Sequence, residues 1–125
     1  MIKKRVSSGS AFEDKIGYSR AVVDDHYVHV SGTTGYHYED MSISEDVTEQ
    51  ARQCLINITH ALEQAGSSLE RIVRVKYILP VRDDFEPCWP ILKTYFGKIK
   101  PAATMIVAGL ADPHMKIEIE VTASL

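Results

Sequence analysis

The sequence predicts an α+β fold, one mixed β-sheet with two helices packed on a single face. Three observations carry that prediction. Residues 72–79 and 116–123 alternate between apolar and polar side chains, the period of two of a half-buried strand. Over residues 46–65, Val47, Ala51, Cys54, Leu55, Ile58, Ala61, Leu62 and Ala65 form one continuous apolar stripe at helical spacing. The elements as a whole follow the order β-β-β-α-β-α-β-β.

The first element is a weak strand pair over residues 4–7 and 19–23, followed by a strand over 27–31. The first helix opens on Glu45, Asp46 and Glu49, whose charges suit a helix N-terminus, and Asp46 is placed to cap it. Gly66 sits where a left-handed closing residue is wanted. In the strand over 72–79, Val73, Val75, Tyr77 and Leu79 point one way and Ile72, Arg74, Lys76 and Ile78 the other. A second helix spans 84–96, with Phe85, Trp89, Leu92 and Phe96 on one face and Gly97 at its close. Pro87 fits its first turn, whereas Pro90 lies deeper and removes a hydrogen bond. The strand over 103–108 is apolar on both faces. In the last strand Ile117, Ile119, Val121 and Ala123 alternate with Lys116, Glu118, Glu120 and Thr122.

Two helices cover only one face of such a sheet. The other face would leave Ile72, Ile78 and part of the 103–108 strand in water beside several charges, a pattern best explained by self-association. The chain of 125 residues reads as one domain over 1–125, with 45% hydrophobic and 25% charged residues, an ordinary globular composition. Its longest apolar run, 105–111, falls far short of the roughly 20 residues of a membrane span. The basic opening, Lys3, Lys4 and Arg5, leads into serines rather than the apolar stretch of a secretory signal. Fourteen basic against seventeen acidic residues give −3 without a basic stripe, which argues against nucleic acid as a partner. Two cysteines, Cys54 and Cys88, in apolar helical patterns read as buried packing and agree with a cytoplasmic location. His26 and His29 form an HxxH pair with no further ligand at zinc spacing, so no metal is expected.

Six strings, in this order, carry a resemblance: GYSRAV, VSGTTG, DVTEQARQCLINI, VRVKYIL, KPAATMIV and MKIEIEVTA. Their order and spacing over residues 17–123 resemble the YjgF/Rid family, also called the liver perchloric-acid-soluble ribonuclease family. The resemblance implies a chorismate-mutase-like fold and a homotrimer, in which three sheets form an inner barrel and a small-molecule cleft lies at each subunit boundary. It also implies hydrolysis of enamine and imine intermediates to 2-oxo acids and ammonia, with no cofactor.

The resemblance assigns roles residue by residue. Glu120 matches the glutamate that holds or activates the attacking water; read without the resemblance, it is a sheet-face carboxylate paired with Arg74 or Lys76. Tyr18 matches a tyrosine that closes over the substrate, a lone aromatic that otherwise reads as core. Gly32 stands where the backbone approaches the ligand, although a turn after a strand also wants glycine. Trp89 replaces a small polar residue, making the cleft wall larger and more apolar, unless it fills the stripe of the second helix. The family's Pro-Ala-Arg-Ser/Thr string is here Pro101-Ala102-Ala103-Thr104, so the arginine that forks onto a substrate carboxylate is replaced by Ala103. Arg20 stands where the family has an uncharged residue. It reads first as a solvated surface charge and, turned inward, as an anion contact from another direction.

The reading that results is an imine or enamine deaminase-like hydrolase on a substrate different from the family's usual ones. Ala103 favours the alternative, a metabolite-binding protein of the same fold without turnover, while Glu120 and Tyr18 favour catalysis. A ribonuclease comes third, because no cationic groove is evident.

Overall fold

The computed structural model describes residues 1–125. Six strands form one sheet: β1 (Lys4–Val6), β2 (Ala21–Val23), β3 (Tyr27–Thr33), β6 (Ile72–Leu79), β7 (Ala102–Val107) and β8 (Glu118–Ser124). Their spatial order is β1-β2-β3-β8-β6-β7, antiparallel throughout except for the parallel pair β6–β7. A parallel pair needs a crossover, and helix α3 (Phe85–Phe96) supplies it. Helix α2 (Val47–Gln64) packs against β3, β8 and α3, so both long helices lie on one face, as the periodicities predict. No helix is long and apolar enough to cross a membrane.

The α2 boundaries follow from its ends. The Asp46 side chain accepts a 2.9 Å hydrogen bond from Thr48 N. At the other end Gly66 takes φ +87°, and Ser67 N donates to Leu62 O at 2.8 Å, closing the last turn. The stripe between them buries Ala51, Cys54, Leu55, Ile58, Ala61 and Leu62 against Val28, Val30, Val75, Ile119 and Val121 of the sheet.

The structure departs from the sequence reading in several places. A short helix α1 (Ala11–Ile16) fills the segment between the first two strands, capped by Ser10, and a small hairpin pairs β4 (Tyr36–His37) with β5 (Ser42–Ile43). Both are too short for a periodicity to develop. The register between β6 and β8 shifts between Ile72 and Arg74. That bulge turns Ile72 into the core, 3% exposed, and Val73 out, 46% exposed, the reverse of strict alternation. Gly97 closes α3 as expected, with a helical φ of −60°, and Lys100, with φ +48°, makes the turn into β7. In α3 the buried positions are Cys88, Leu92 and Phe96, while Trp89 is 51% exposed, so Trp89 does not fill the core stripe.

The opposite face of the sheet carries neither of the two long helices. Lys76 stands opposite Glu120 there and Arg74 opposite Thr122, and the Arg74 guanidinium donates to Thr104 Oγ1. Ile78 is only partly buried and Ile106, on the edge strand β7, is exposed.

The β3–β4 connection runs directly over α2. A Cβ on Gly35 would lie 2.6 Å from Gln50 Cα and 2.7 Å from its carbonyl oxygen. Backbone atoms cannot give way as a flexible side chain can. Gly35→Ala is therefore expected to lower stability by about 2 kcal/mol or more in urea denaturation. Gly109→Ala, in open space, should change it by less than about 0.5 kcal/mol.

Candidate functional site

Near its end β3 bulges against β8, the register of the pair shifting between Val30 and Thr33, and the bulge bends the strand. Gly32 lies inside that bend. A Cβ there would sit 2.7 Å from Cδ and 2.8 Å from Oε2 of Glu118, so glycine at 32 is what lets the Glu118 carboxyl lie against the β3 backbone. Tyr18, Arg20, Gly32, Glu118 and Glu120 together line one cavity of about 420 Å³, roofed by Phe12 and Ile16 of α1. Four of the residues singled out in the sequence are thus brought together, and Glu118 joins them.

Two buried amides of α2 hold the walls in place. Asn57 Nδ2 donates to Thr34 O at 3.1 Å and Tyr36 O at 2.8 Å, fixing the chain beyond the bend. Gln50 Nε2 donates to Ser44 O and His114 O, and its Oε1 accepts from Lys116 N at 2.9 Å, fixing the chain that leads into β8. Each buried amide thus has its own polar groups satisfied, largely by the backbone of the segments it ties down.

Arg20 is not a surface residue. It is 3% exposed, which corrects the solvated reading. Its Nη1 donates to Gly32 O at 2.8 Å and Thr33 Oγ1 at 3.0 Å, and its Nη2 to Tyr18 Oη at 3.2 Å. The guanidinium lies 5.4 Å from the ring centroids of both Tyr18 and Tyr38, a cation–π contact with each. The bend in β3 explains the burial, because it turns the Gly32 carbonyl and the Thr33 hydroxyl toward the arginine. Arg20 Nε and Tyr38 Oη are both buried and have no hydrogen-bond partner. Burial pushes the Tyr38 phenol up to about 12, against the opposing pull of Arg20.

The two carboxylates of β8 differ in setting. Burial raises the Glu118 pKa above its ordinary 4.5, Arg20 works to lower it, and the Glu120 charge raises it further. Glu120 lies one pleat repeat further along, exposed, with Oε2 3.9 Å from Lys76 Nζ. The cross-strand pair foreseen for Glu120 therefore forms, although an exposed pair of this length contributes little stability. Strand alternation puts both glutamates on one face and cannot say which is deeper. The deciding contact, Gly32, is remote in sequence.

Trp89 and Ala103 lie elsewhere in the chain. Trp89 meets Phe85 edge-on at 6.1 Å and lines a groove with Met105. Ala103 is exposed on the edge strand β7, beside Val75. Cys54 and Cys88 are both buried, and desolvation raises both thiols, Cys88 to about 11. Neither is a nucleophile at neutral pH. In the HxxH pair, His29 Nε2 lies 2.8 Å from Asp24 Oδ2.

A family model described as Endoribonuclease L-PSP matches residues 8–125. The chain belongs to this family, the YjgF/Rid family. It is 31% identical over 124 residues to a 2-iminobutanoate/2-iminopropanoate deaminase of Rattus norvegicus, covering 98% of this chain and 90% of the relative. Among solved structures it resembles Rv2704 of Mycobacterium tuberculosis, a YjgF/YER057c/UK114 family member, with TM-score 0.88, 36% identity and 98% of each chain covered. The YjgF gene product of E. coli gives TM-score 0.85 at 26% identity, over 98% of each chain. The YjgF/Rid fold is thus the frame in which β3, β8 and α1 enclose the Glu118 cavity.

The environment of Glu118 in this YjgF/Rid chain has a pH signature. Its folded pKa is raised, so the folded state holds the proton more tightly than the unfolded chain. Stability is therefore lost as pH rises from about 4.5 through the raised folded value. Glu118→Gln removes that loss. The urea midpoint of the variant is expected to exceed that of the wild type at pH 8, and the excess should shrink toward pH 4.5. An excess that does not change with pH would show that Glu118 titrates normally.

Proposed function

We propose that the protein is a cofactor-independent hydrolase of small imines and enamines, assembled as a homotrimer with a cleft at each subunit boundary. The observation that carries this reading is the Glu118 carboxyl, part-buried against Gly32 with a raised pKa, on the wall of a cavity that also holds Tyr18. An imine carbon is already electrophilic, so the protein has only to place the substrate, position a water and move a proton. Water adds to the C=N carbon and gives up a proton to the Glu118 carboxylate. The carboxyl returns that proton to the nitrogen to give a carbinolamine. The carbinolamine hydroxyl then passes its proton through the same carboxyl to the nitrogen as the C–N bond breaks, and ammonia leaves behind a C=O group. An enamine first takes a proton on carbon to become the imine. A carboxyl whose pKa is drawn toward neutrality serves both halves of this cycle. The water-handling role expected of Glu120 passes to Glu118, and Glu120 becomes the neighbouring charge that helps keep the Glu118 pKa high. Relatives named 2-iminobutanoate/2-iminopropanoate deaminase in Rattus norvegicus and Homo sapiens support the reaction class.

The trimer is supported by the surface that one chain leaves open. Strand β7 is an unpaired sheet edge exposing Ile106 and Val107, and edges of this kind are covered in stable proteins. In the trimer, β7 of one subunit, with Ala103 and the Trp89–Met105 groove, faces the Glu118 cavity of the next. Ala103 supports a second reading, a binding protein without turnover, since it cannot fork onto a carboxylate as an arginine does.

Two measurements test the proposal. Light scattering is expected to give a trimer, and a monomer at micromolar concentration removes the shared cleft. Imines generated by an amino-acid oxidase and trapped with semicarbazide should be lost faster in the presence of the protein. Glu118→Gln should slow that loss by about 10²–10⁴-fold with the trimer intact, while Glu120→Gln costs less. Full turnover by Glu118→Gln overturns the mechanism, and a wild type without turnover selects the binding reading.

A further inference from the structure

Ala103 has no donor for an anionic group, but the wall of the Glu118 cavity holds a cation. Arg20 is almost wholly buried, and no carboxylate lies within 4.0 Å of its guanidinium. A guanidinium has five N–H bonds. The two on Nη1 go to Gly32 O and Thr33 Oγ1, one on Nη2 goes to Tyr18 Oη, and the Nε N–H meets nothing. Glu13 and Glu118 act on this charge only through space, and an anion arriving in the cavity adds a closer counter-charge.

Tyr18 determines how the anion is met. Its oxygen accepts from Arg20 and makes no other hydrogen bond, so its own proton is free to point into the cavity. A phenol whose oxygen is held by a buried cation is polarised and becomes a stronger donor. Two carboxylates also face this space: Glu120 lies beside Lys76, and burial raises the Glu118 pKa.

We propose that Arg20, acting through the Tyr18 hydroxyl, is the anion-recognising group of this site, and that its ligand is a small carboxylate despite Ala103. The carboxylate then sits on the Tyr18 wall, opposite to where an arginine at position 103 would hold it, with the reacting carbon toward Glu118. The proposal rests on the cavity being the substrate site, as argued above, but not on turnover. Arg20 is a positioning residue, and Tyr18 makes the contact.

The test compares two probes of similar shape, 2-oxobutanoate and the uncharged 2-butanone, by NMR titration of the intact protein. 2-Oxobutanoate is expected to bind more tightly by about tenfold or more, the scale of one charge-assisted hydrogen bond. Tyr18→Phe should remove most of that preference by weakening 2-oxobutanoate far more than 2-butanone, with the oligomeric state intact and the melting temperature lowered by the acceptor that Arg20 loses. A purely structural tyrosine would instead shift the affinity for both probes alike. Arg20→Gln is expected to abolish the preference. Should it fail to fold, Tyr18→Phe alone decides the matter. Equal affinity for the two probes, no detectable binding of 2-oxobutanoate, or an undiminished preference in Tyr18→Phe overturns the proposal. Carboxylate preference without imine turnover leaves this inference standing and removes the hydrolase reading. Turnover without carboxylate preference does the reverse.

Discussion

The buried guanidinium of Arg20 is the constraint on which the rest of the site depends. Moving an arginine out of water costs several kcal/mol unless its donors find acceptors in good geometry. Here those acceptors are the Gly32 carbonyl, the Thr33 hydroxyl and the Tyr18 phenol, with the Tyr18 and Tyr38 rings flanking it. The bend of β3, the place of Tyr18 after α1 and the return of the chain through Tyr38 are therefore mutually dependent. A straight β3 would withdraw the Gly32 carbonyl and leave the charge uncompensated. Helix α2 stabilises the arrangement from beneath, because Asn57 and Gln50 tie it to the chain on either side of the cavity. Removing one partner from such a network exposes the full desolvation cost of what remains, which makes the site rigid.

The fold was legible wherever a period could develop. The 18 residues of α2 and the 8 of β6 each bury a regular set of side chains, and their limits follow from Asp46, Gly66 and the strand alternation. The six-residue α1 and the two-residue strands β4 and β5 are too short for any period, and their Ser10 cap and hairpin register are read only in three dimensions. The exchange of Ile72 and Val73 has the same origin. A bulge inserts one residue, and the alternation on its far side is inverted without any mark in the composition. At the site, Tyr18, Gly32 and Glu120 were legible through local strings. Arg20 was misplaced because a residue at the start of a short strand carries no sidedness signal of its own.

The split between the half-site at Glu118 and the group formed by Trp89, Met105 and Ala103 follows from strand order. Strand β6 lies between β8 and β7, so one chain cannot bring the two groups together across its own sheet. Both are apolar or part-exposed surfaces, and the proposed trimer covers the open edge and the cavity with one interface.

The separation of Arg20 from Glu118 bears on the proposed hydrolysis. A direct ion pair would pull the glutamate well below the ordinary carboxylate range and make it a poor base near neutrality. Arg20 is prevented from forming that pair because its Nη donors are committed to Gly32, Thr33 and Tyr18. Its charge still reaches Glu118 through space and moderates the rise that burial and Glu120 produce. Lys76 is in turn the cation nearest Glu120 rather than Glu118. The hydrogen bonds that bury the arginine thus also keep the neighbouring carboxyl able to exchange a proton, so the same contacts serve both the stability of the bend and the chemistry beside it.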